Sequence, residues 1–223
     1  MSSVNVHISL IIILVISIFW IWNMTCNHPV LVRKSFDTLN FKTGDMILFH
    51  AYDNINPIFI GSYWGHIGIV YKDPDKSEPP LLFEAARTTG IKNCPDYNKH
   101  GIMITDLKTR LEKYPGMIAC KFLNKPLRYD IIKGFHEFMK YSKKNMYYND
   151  NVFQSCFKKM SGDELNVSTN CGELVTLSLI KLGLIPINTL KKKIAHHLLY
   201  MVNVIELQDN NYLNPIEITF NPF

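Results

Sequence analysis

The sequence lacks the patterns that mark several common classes of protein. Its five cysteines include no Cys-x-x-Cys pair and none of the cysteine–histidine spacings of a zinc site. It contains no Gly-rich phosphate loop, no internal repeat and no low-complexity segment. An odd number of cysteines in 223 residues argues against a complete disulfide framework, although four of the five could pair in an oxidising compartment. These absences disfavour zinc modules, phosphate-loop enzymes and disulfide-stapled domains.

Positive charge is in modest excess and is scattered along the chain. The formal net charge is +5, and the only tight basic run is Lys191-Lys192-Lys193. A run of this length is usually a solvated helix face, so we expect no nucleic-acid partner.

The chain begins with an apolar segment, and no Lys or Arg occurs before Arg33. Residues 8–22 carry no charge and no proline, and with their flanks they are long enough to cross a bilayer. A cleaved signal peptide fits less well, because no basic residue precedes the run and no small-x-small cleavage site follows it. We therefore expect residues 1–25 to be an uncleaved single-pass anchor in a lipid bilayer. The basic residues that follow the run predict a cytosolic position for the rest of the chain.

The remainder is predicted to be one domain, residues 41–223, that follows a linker at residues 26–40. Short apolar runs bounded by turn residues predict strands at 46–50, 65–71, 81–85, 101–107 and 117–123. Apolar periodicity predicts helices at 128–143, 171–182 and 190–201. Several strands followed by helices favour an α+β fold with a mostly antiparallel sheet.

Cys171 lies in the run 169–175 (TNCGELV), at the expected start of a helix. The amides and the dipole at that end of a helix stabilise a thiolate, which is the nucleophilic form of cysteine. The same amides can hold an oxyanion after the sulfur attacks a carbonyl group. The alternative is a buried cysteine that packs as a small apolar side chain.

His66 and Glu84 are the candidate partners of that cysteine. His66 opens an expected strand between two glycines, and such a histidine can face a cleft and act as general base toward a thiol. Glu84 lies within an apolar strand, where a carboxylate is costly unless it has a partner. If the two strands are neighbours, Glu84 can hold the imidazole in its useful tautomer. The alternatives are a hydrogen-bonded histidine without a catalytic role and a glutamate that faces solvent on an edge strand.

Other residues have weaker patterns. His50 could line the cleft or be solvated, and Tyr63 and Trp64 could line it or pack. His136 and Glu137 are expected on a helix surface. His196 and His197 are adjacent on an expected helix, so their side chains point in different directions and do not suit a shared metal.

Four runs in order resemble the permuted branch of the NlpC/P60 superfamily, which includes YiiX/YaeF-like proteins, a poxvirus protein group and, more distantly, lecithin retinol acyltransferases. The runs are GDMILF at 44–49, GHIGIV at 65–70, FEA at 83–85 and NCGELV at 170–175. The resemblance covers roughly residues 41–183. The acyltransferases have Asn-Cys-Glu-His at the nucleophile, whereas this chain has Asn-Cys-Gly-Glu, which is closer to the YiiX-like and viral members. Tyr147-Tyr148-Asn149 resembles a Tyr-Asp element that precedes the cysteine helix in YiiX-like members, with Asn in place of Asp.

The resemblance implies a circularly permuted papain-like fold, with an antiparallel sheet packed on helices. It implies Cys171 as the nucleophile, His66 as the catalytic histidine and Glu84 as the orienting residue, with no metal and no organic cofactor. The implied function is a membrane-anchored cysteine hydrolase that cleaves an amide or peptide bond. The alternatives are a lipid acyltransferase or esterase and a catalytically silent binding module. Similarity to a poxvirus group adds viral or infected-host membranes to the candidate locations.

Overall fold

The computed structural model describes residues 10–15, 17–18, 31–50, 64–86, 101–148, 168–186 and 212–220. Of the expected anchor at 1–25, residues 10–15 and 17–18 are helical and the remainder lies outside the described residues. The apolar side chains at 10–15 and at Ile18 are all more than half exposed. None of the described helices combines the length and the apolar character needed to cross a bilayer.

A mixed seven-stranded sheet forms the centre of the domain. Its strands are β1 (Val32–Ser35), β2 (Met46–His50), β3 (His66–Tyr71), β4 (Leu81–Ala86), β5 (Gly101–Asp106), β6 (Met117–Lys121) and β9 (Ile216–Thr219). Their order across the sheet is β1-β9-β6-β2-β3-β4-β5. Strand β1 pairs with β9 in parallel, and the other pairs are antiparallel. A separate two-stranded ladder joins β7 (Tyr147–Tyr148) to β8 (Ser168–Thr169).

Helices cover both faces of the sheet around strand β2, all five residues of which are buried. The helices are α1 (Leu107–Glu112), α2 (Tyr129–Asn145) and α3 (Cys171–Lys181). Helices α2 and α3 belong to the larger apolar cluster, with Met46 and Leu48 of β2. Helix α1 belongs to the smaller cluster on the other face, with Ile47 and Phe49. A strand covered on both faces reads as a continuous apolar run, which is the pattern of MILFH.

The fold is α+β, as predicted, and the central elements lie where the sequence predicts them. The strands expected at 46–50, 65–71 and 81–85 are confirmed to within one residue. The helices expected at 128–143 and 171–182 are confirmed to within two. The helix expected at 190–201 lies outside the described residues.

Two segments differ from the sequence prediction. Part of the expected linker at 26–40 forms strand β1 and a 3-10 turn at Phe36–Thr38, because β1 pairs with strand β9 from the far end of the chain. That partner cannot be inferred from the local sequence. The second is helix α1, which the sequence analysis does not predict and which begins where the Asp106 side chain accepts the Thr109 amide. The strands expected at 101–107 and 117–123 are confirmed over residues 101–106 and 117–121.

A tight turn at Gly44 connects the start of β2 to three other parts of the core. Its φ is +97°, and a Cβ at this position would lie 3.1 Å from Cδ2 of Leu123. The Gly44 amide donates to the Val70 carbonyl, and its carbonyl accepts the Tyr212 hydroxyl at 2.8 Å. This position therefore requires both the positive φ and the absence of a side chain.

Substituting alanine for two glycines is predicted to have opposite effects on stability. Gly44→Ala introduces left-handed backbone strain and a close contact, so we expect the free energy of unfolding to fall by about 1–3 kcal/mol. Gly134→Ala lies within helix α2, where a Cβ would meet nothing within 4 Å. It should raise the same free energy by about 0.5–1 kcal/mol. Urea unfolding measures both, and changes of the same sign would contradict the described turn.

Candidate active site

His66 is the first residue of strand β3, and its ring is held between neighbouring side chains. It lies opposite Phe49 of strand β2, with the two ring centroids 5.2 Å apart. The Gly65 amide donates to the Phe49 carbonyl at 2.9 Å, which fixes the backbone just before the histidine. The His66 side chain remains 19% exposed, so the ring is reachable from the surface.

Glu84 reaches the His66 ring from the neighbouring strand β4, as the sequence predicts for adjacent strands. Nε2 of His66 donates to Oε2 of Glu84 over 2.7 Å, and the carboxylate is fully buried. Glu84 pairs in register with Gly68. A Cβ on Gly68 would lie 3.3 Å from Cβ of Glu84 and 2.9 Å from Cδ1 of Leu82. The second glycine of the GHIGIV run therefore leaves room for the Leu82 side chain and for Cβ of Glu84.

Arg110 is a member of this cluster that the sequence analysis did not identify. Its Nε donates to Oε1 of Glu84 at 2.7 Å and its Nη2 to Oε2 at 3.3 Å, with the side chain only 4% exposed. The guanidinium lies 4.7 Å from the Phe49 ring centroid and 5.4 Å from that of Tyr114. Arg110 lies on the same side of helix α1 as the apolar residues Leu107 and Leu111. A cation on the apolar side of a short helix was the signal that could have revealed it.

Cys171 lies at the start of helix α3, as predicted, and 7% of its surface is exposed. Asn170 caps the helix: its side chain accepts the Glu173 amide at 3.0 Å, and Glu173 accepts the Asn170 amide at 3.2 Å. Cys171 lies close enough to the His66 ring to raise the pKa of that ring. Because Nε2 of that ring is bonded to Glu84, Nδ1 is the nitrogen available to the sulfur.

The charges in the cluster stabilise one another. Burial alone lowers the pKa of His66, but the charge and hydrogen bond of Cys171, followed by those of Glu84, outweigh burial and raise it from 6.5 to about 9. Burial raises the pKa of Glu84, but the Arg110 charge and the His66 hydrogen bond bring it from 4.5 to about 2. Glu84 is therefore an ionised acceptor at neutral pH, and the raised pKa of His66 favours its protonated form at that pH.

The structure describes some of the remaining candidates, and the others lie outside the described residues. His50 ends strand β2 and is buried, and Trp64 packs in the same apolar cluster as Cys171. His136 stacks on Tyr71 with centroids 4.9 Å apart, and Glu137 pairs with Lys140 at the surface. Outside the described residues lie Tyr63, Asn149, His196 and His197.

The Tyr147–Tyr148 segment adjoins the cysteine helix. Strand β7 pairs with β8, which ends at Thr169, two residues before Cys171. Cys120 and Cys171 are free thiols, and the other three cysteines lie outside the described residues. Within the described ranges, no three His, Cys, Asp or Glu side chains group closely enough to hold a metal ion.

No protein-family model and no curated protein matches this sequence. Among solved structures, the chain is similar to the crystal structure of metalloprotein yiiX from Escherichia coli O157:H7. The TM-score is 0.44 and the sequence identity 16%, over 80% of this chain and 88% of the other. A likeness of this degree carries no argument about activity or metal binding.

Loss of Arg110 is predicted to destabilise the protein far more than loss of an exposed arginine. Arg110→Met leaves the buried Glu84 carboxylate with one of its two cationic partners, so we expect the free energy of unfolding to fall by about 3–5 kcal/mol. The control is Arg128→Met, because the Arg128 side chain is 77% exposed and pairs with Asp130 at the surface. Its effect should stay within about 0.5 kcal/mol. Similar losses for both variants in urea unfolding would mean that Arg110 does not hold the carboxylate.

Proposed function

We propose that this chain is a cysteine hydrolase that cleaves an amide or peptide bond through Cys171, His66 and Glu84. The observation that carries the proposal is the His66 ring, which is bonded to the Glu84 carboxylate through Nε2 and has a pKa that the nearby Cys171 raises. A nucleophile, a base and a group that orients the base are the three parts of such a mechanism. Arg110 adds a positioning role, since it fixes both oxygens of Glu84.

In the first half of the reaction, the sulfur attacks the substrate carbonyl carbon. The attacking form is the thiolate of a Cys171–His66 ion pair: a carbon–sulfur bond forms as the carbonyl oxygen becomes an oxyanion, and His66 keeps its proton for the next step. The start of helix α3 places backbone amides and the positive end of its dipole near that oxygen, and each donor contributes about 3 kcal/mol to the transition state. The oxyanion then collapses, the carbon–nitrogen bond breaks, and His66 gives its proton to the leaving amine.

In the second half, water releases the acyl group. His66 takes a proton from the water as the oxygen attacks the thioester carbonyl. The carbon–sulfur bond breaks, the carboxylic acid leaves and Cys171 is regenerated. Glu84 stays ionised throughout, because its low pKa makes it a hydrogen-bond acceptor that keeps the ring aligned.

We also propose that the fold is the permuted NlpC/P60 type and that residues 1–25 tether the chain to a membrane, with the catalytic domain on the cytosolic side. The α+β architecture and the order His66, Glu84, Cys171 along the chain support the fold assignment. The uncharged apolar run supports the tether, as do the exposed side chains at 10–15 and Ile18. The order of the motifs is shared with the poxvirus group, so a viral or infected-host membrane fits.

A lipid acyltransferase or esterase is the second candidate. It uses the same thioester intermediate, but an alcohol or amine replaces water in the second half. The exposed apolar side chains at 10–15 favour it, because an enzyme tethered to a membrane would be close to lipid acyl chains. Product analysis separates the two: a free carboxylic acid indicates hydrolysis, and a new ester or amide indicates transfer.

Thiol labelling tests whether His66 activates Cys171. With iodoacetamide and peptide mass spectrometry, Cys171 should be alkylated before Cys120, which is fully buried and whose pKa burial raises well above its usual value. His66→Ala should slow the labelling of Cys171 by at least about tenfold, because the base is lost. Equal rates for Cys171 with and without His66 would favour a catalytically silent binding module.

Turnover of small amide, ester and thioester substrates tests the nucleophile itself. Cys171→Ala should lower the rate by about a thousandfold or more, whereas Cys120→Ala should leave it unchanged. If Cys171→Ala keeps its activity, the assignment of the site is wrong.

A further inference from the structure

A cavity of about 260 Å³ lies at the opposite end of strand β3 from His66. Its walls come from three parts of the chain: the turn before β2, the loop after β3 and the loop before α2. His66 begins β3 and Lys72 follows its last residue, so the two lie about 20 Å apart at the usual rise of a strand. The cavity is therefore separate from the candidate active site.

Lysines from all three segments line this cavity: Lys42, Lys72, Lys76 and Lys125. Lys76 pairs with Glu78 at 3.4 Å, and both side chains are more than half exposed. Within the described part of the chain, no carboxylate lies within 4.0 Å of the other three ammonium groups. Among the described residues, lysines thus outnumber acidic residues in the cavity wall by four to one.

The acidic groups nearby have partners of their own. Asp73 is the one acidic residue in the cavity wall, and it pairs with Lys133 at 3.4 Å. Lys133 also pairs with Asp75, which accepts the Tyr129 hydroxyl at 2.8 Å. Both carboxylate oxygens of the buried Asp45 accept backbone amides. These contacts leave the lysines as the groups that a ligand would meet.

We infer that this cavity binds a phosphate monoester of head-group size. Four lysines that line one cavity give it positive charge, and an anion with two negative charges is attracted to such a site. Lysine binds phosphate well as a point charge. The apolar side chains of Leu127 and Ile132 offer contact to the carbon skeleton of the ligand. The volume is below the range of roughly 300–1,000 Å³ for drug-sized ligands, so a head group fits and a long acyl chain does not.

The phosphate can be free in solution or part of an anionic lipid. Basic residues close to a membrane surface attract anionic head groups, so a tethered chain would meet the lipid form first. The site does not depend on the proposed hydrolase, because none of its residues belongs to the His66–Glu84–Arg110–Cys171 cluster.

The test measures binding of two probes to the full-length chain. Inositol 1,4,5-trisphosphate is titrated by calorimetry, and vesicles containing a phosphatidylinositol phosphate are compared with phosphatidylserine vesicles of equal charge. Lys42→Gln/Lys72→Gln/Lys125→Gln should raise the Kd by at least about tenfold, or about 1.4 kcal/mol. The control replaces three lysines exposed elsewhere with the same change of charge, Lys113→Gln/Lys143→Gln/Lys144→Gln.

Pro126→Trp is a second variant, because it fills the cavity and retains every lysine. It should weaken binding of the same probes. Binding of the soluble probe that depends on the cavity, with no preference for phosphoinositide over phosphatidylserine vesicles, indicates a free phosphate ligand. A response to phosphoinositide vesicles alone indicates a lipid head group. The proposal would be overturned if the cavity variant and the control triple variant lost the same amount of affinity. It would also be overturned if the wild-type chain bound neither probe.

Discussion

The candidate site depends on one fully buried carboxylate and the two cations that compensate its charge. Glu84 has no exposed surface, and an isolated charge in that position would be strongly destabilising. His66 and Arg110 approach it from strand β3 and helix α1, so three separate elements must be in place before the charge is neutralised. Two neighbours support this interaction. Gly68 leaves room for Cβ of Glu84, and Phe49 packs against both cationic side chains.

The arrangement joins the two layers of the domain at one end of the sheet. Phe49 and the α1 helix belong to the smaller apolar cluster, whereas Cys171 belongs to the larger cluster on the other face. His66 is the first residue of β3, and at that position its ring interacts with residues of both layers. The thiol therefore comes from one layer and its electrostatic support from the other, and the imidazole connects them.

Local sequence predicted the elements whose pattern is complete within a few residues. Examples are the continuous apolar run of β2 and the apolar helix that follows Asn170. The pairing of His66 with Glu84 also follows from the local sequence, once β3 and β4 are taken as neighbours. What could not be predicted depends on distant partners. Strand β1 needs β9, which lies more than 180 residues later.

Arg110 and the lysine-lined cavity illustrate the same limit at the level of single side chains. Arg110 is one more cation in a polar stretch until the fold buries it against Glu84. The lysines at 42, 72 and 125 are scattered in sequence, and only the loops around the ends of β2, β3 and β6 bring them together. Scattered charge in a sequence therefore does not exclude a charged site in the folded protein.

The central claim is that the Cys171 sulfur and the His66 ring form one electrostatic unit. Histidine NMR titration of the isotope-labelled chain measures this most directly, with the His66→Gln spectrum used to assign the signal. The account predicts a His66 pKa of about 9 in the wild type and a clearly lower pKa in Cys171→Ala, because burial lowers the pKa and the raising effect of Cys171 is lost. The same midpoint in both proteins would contradict it.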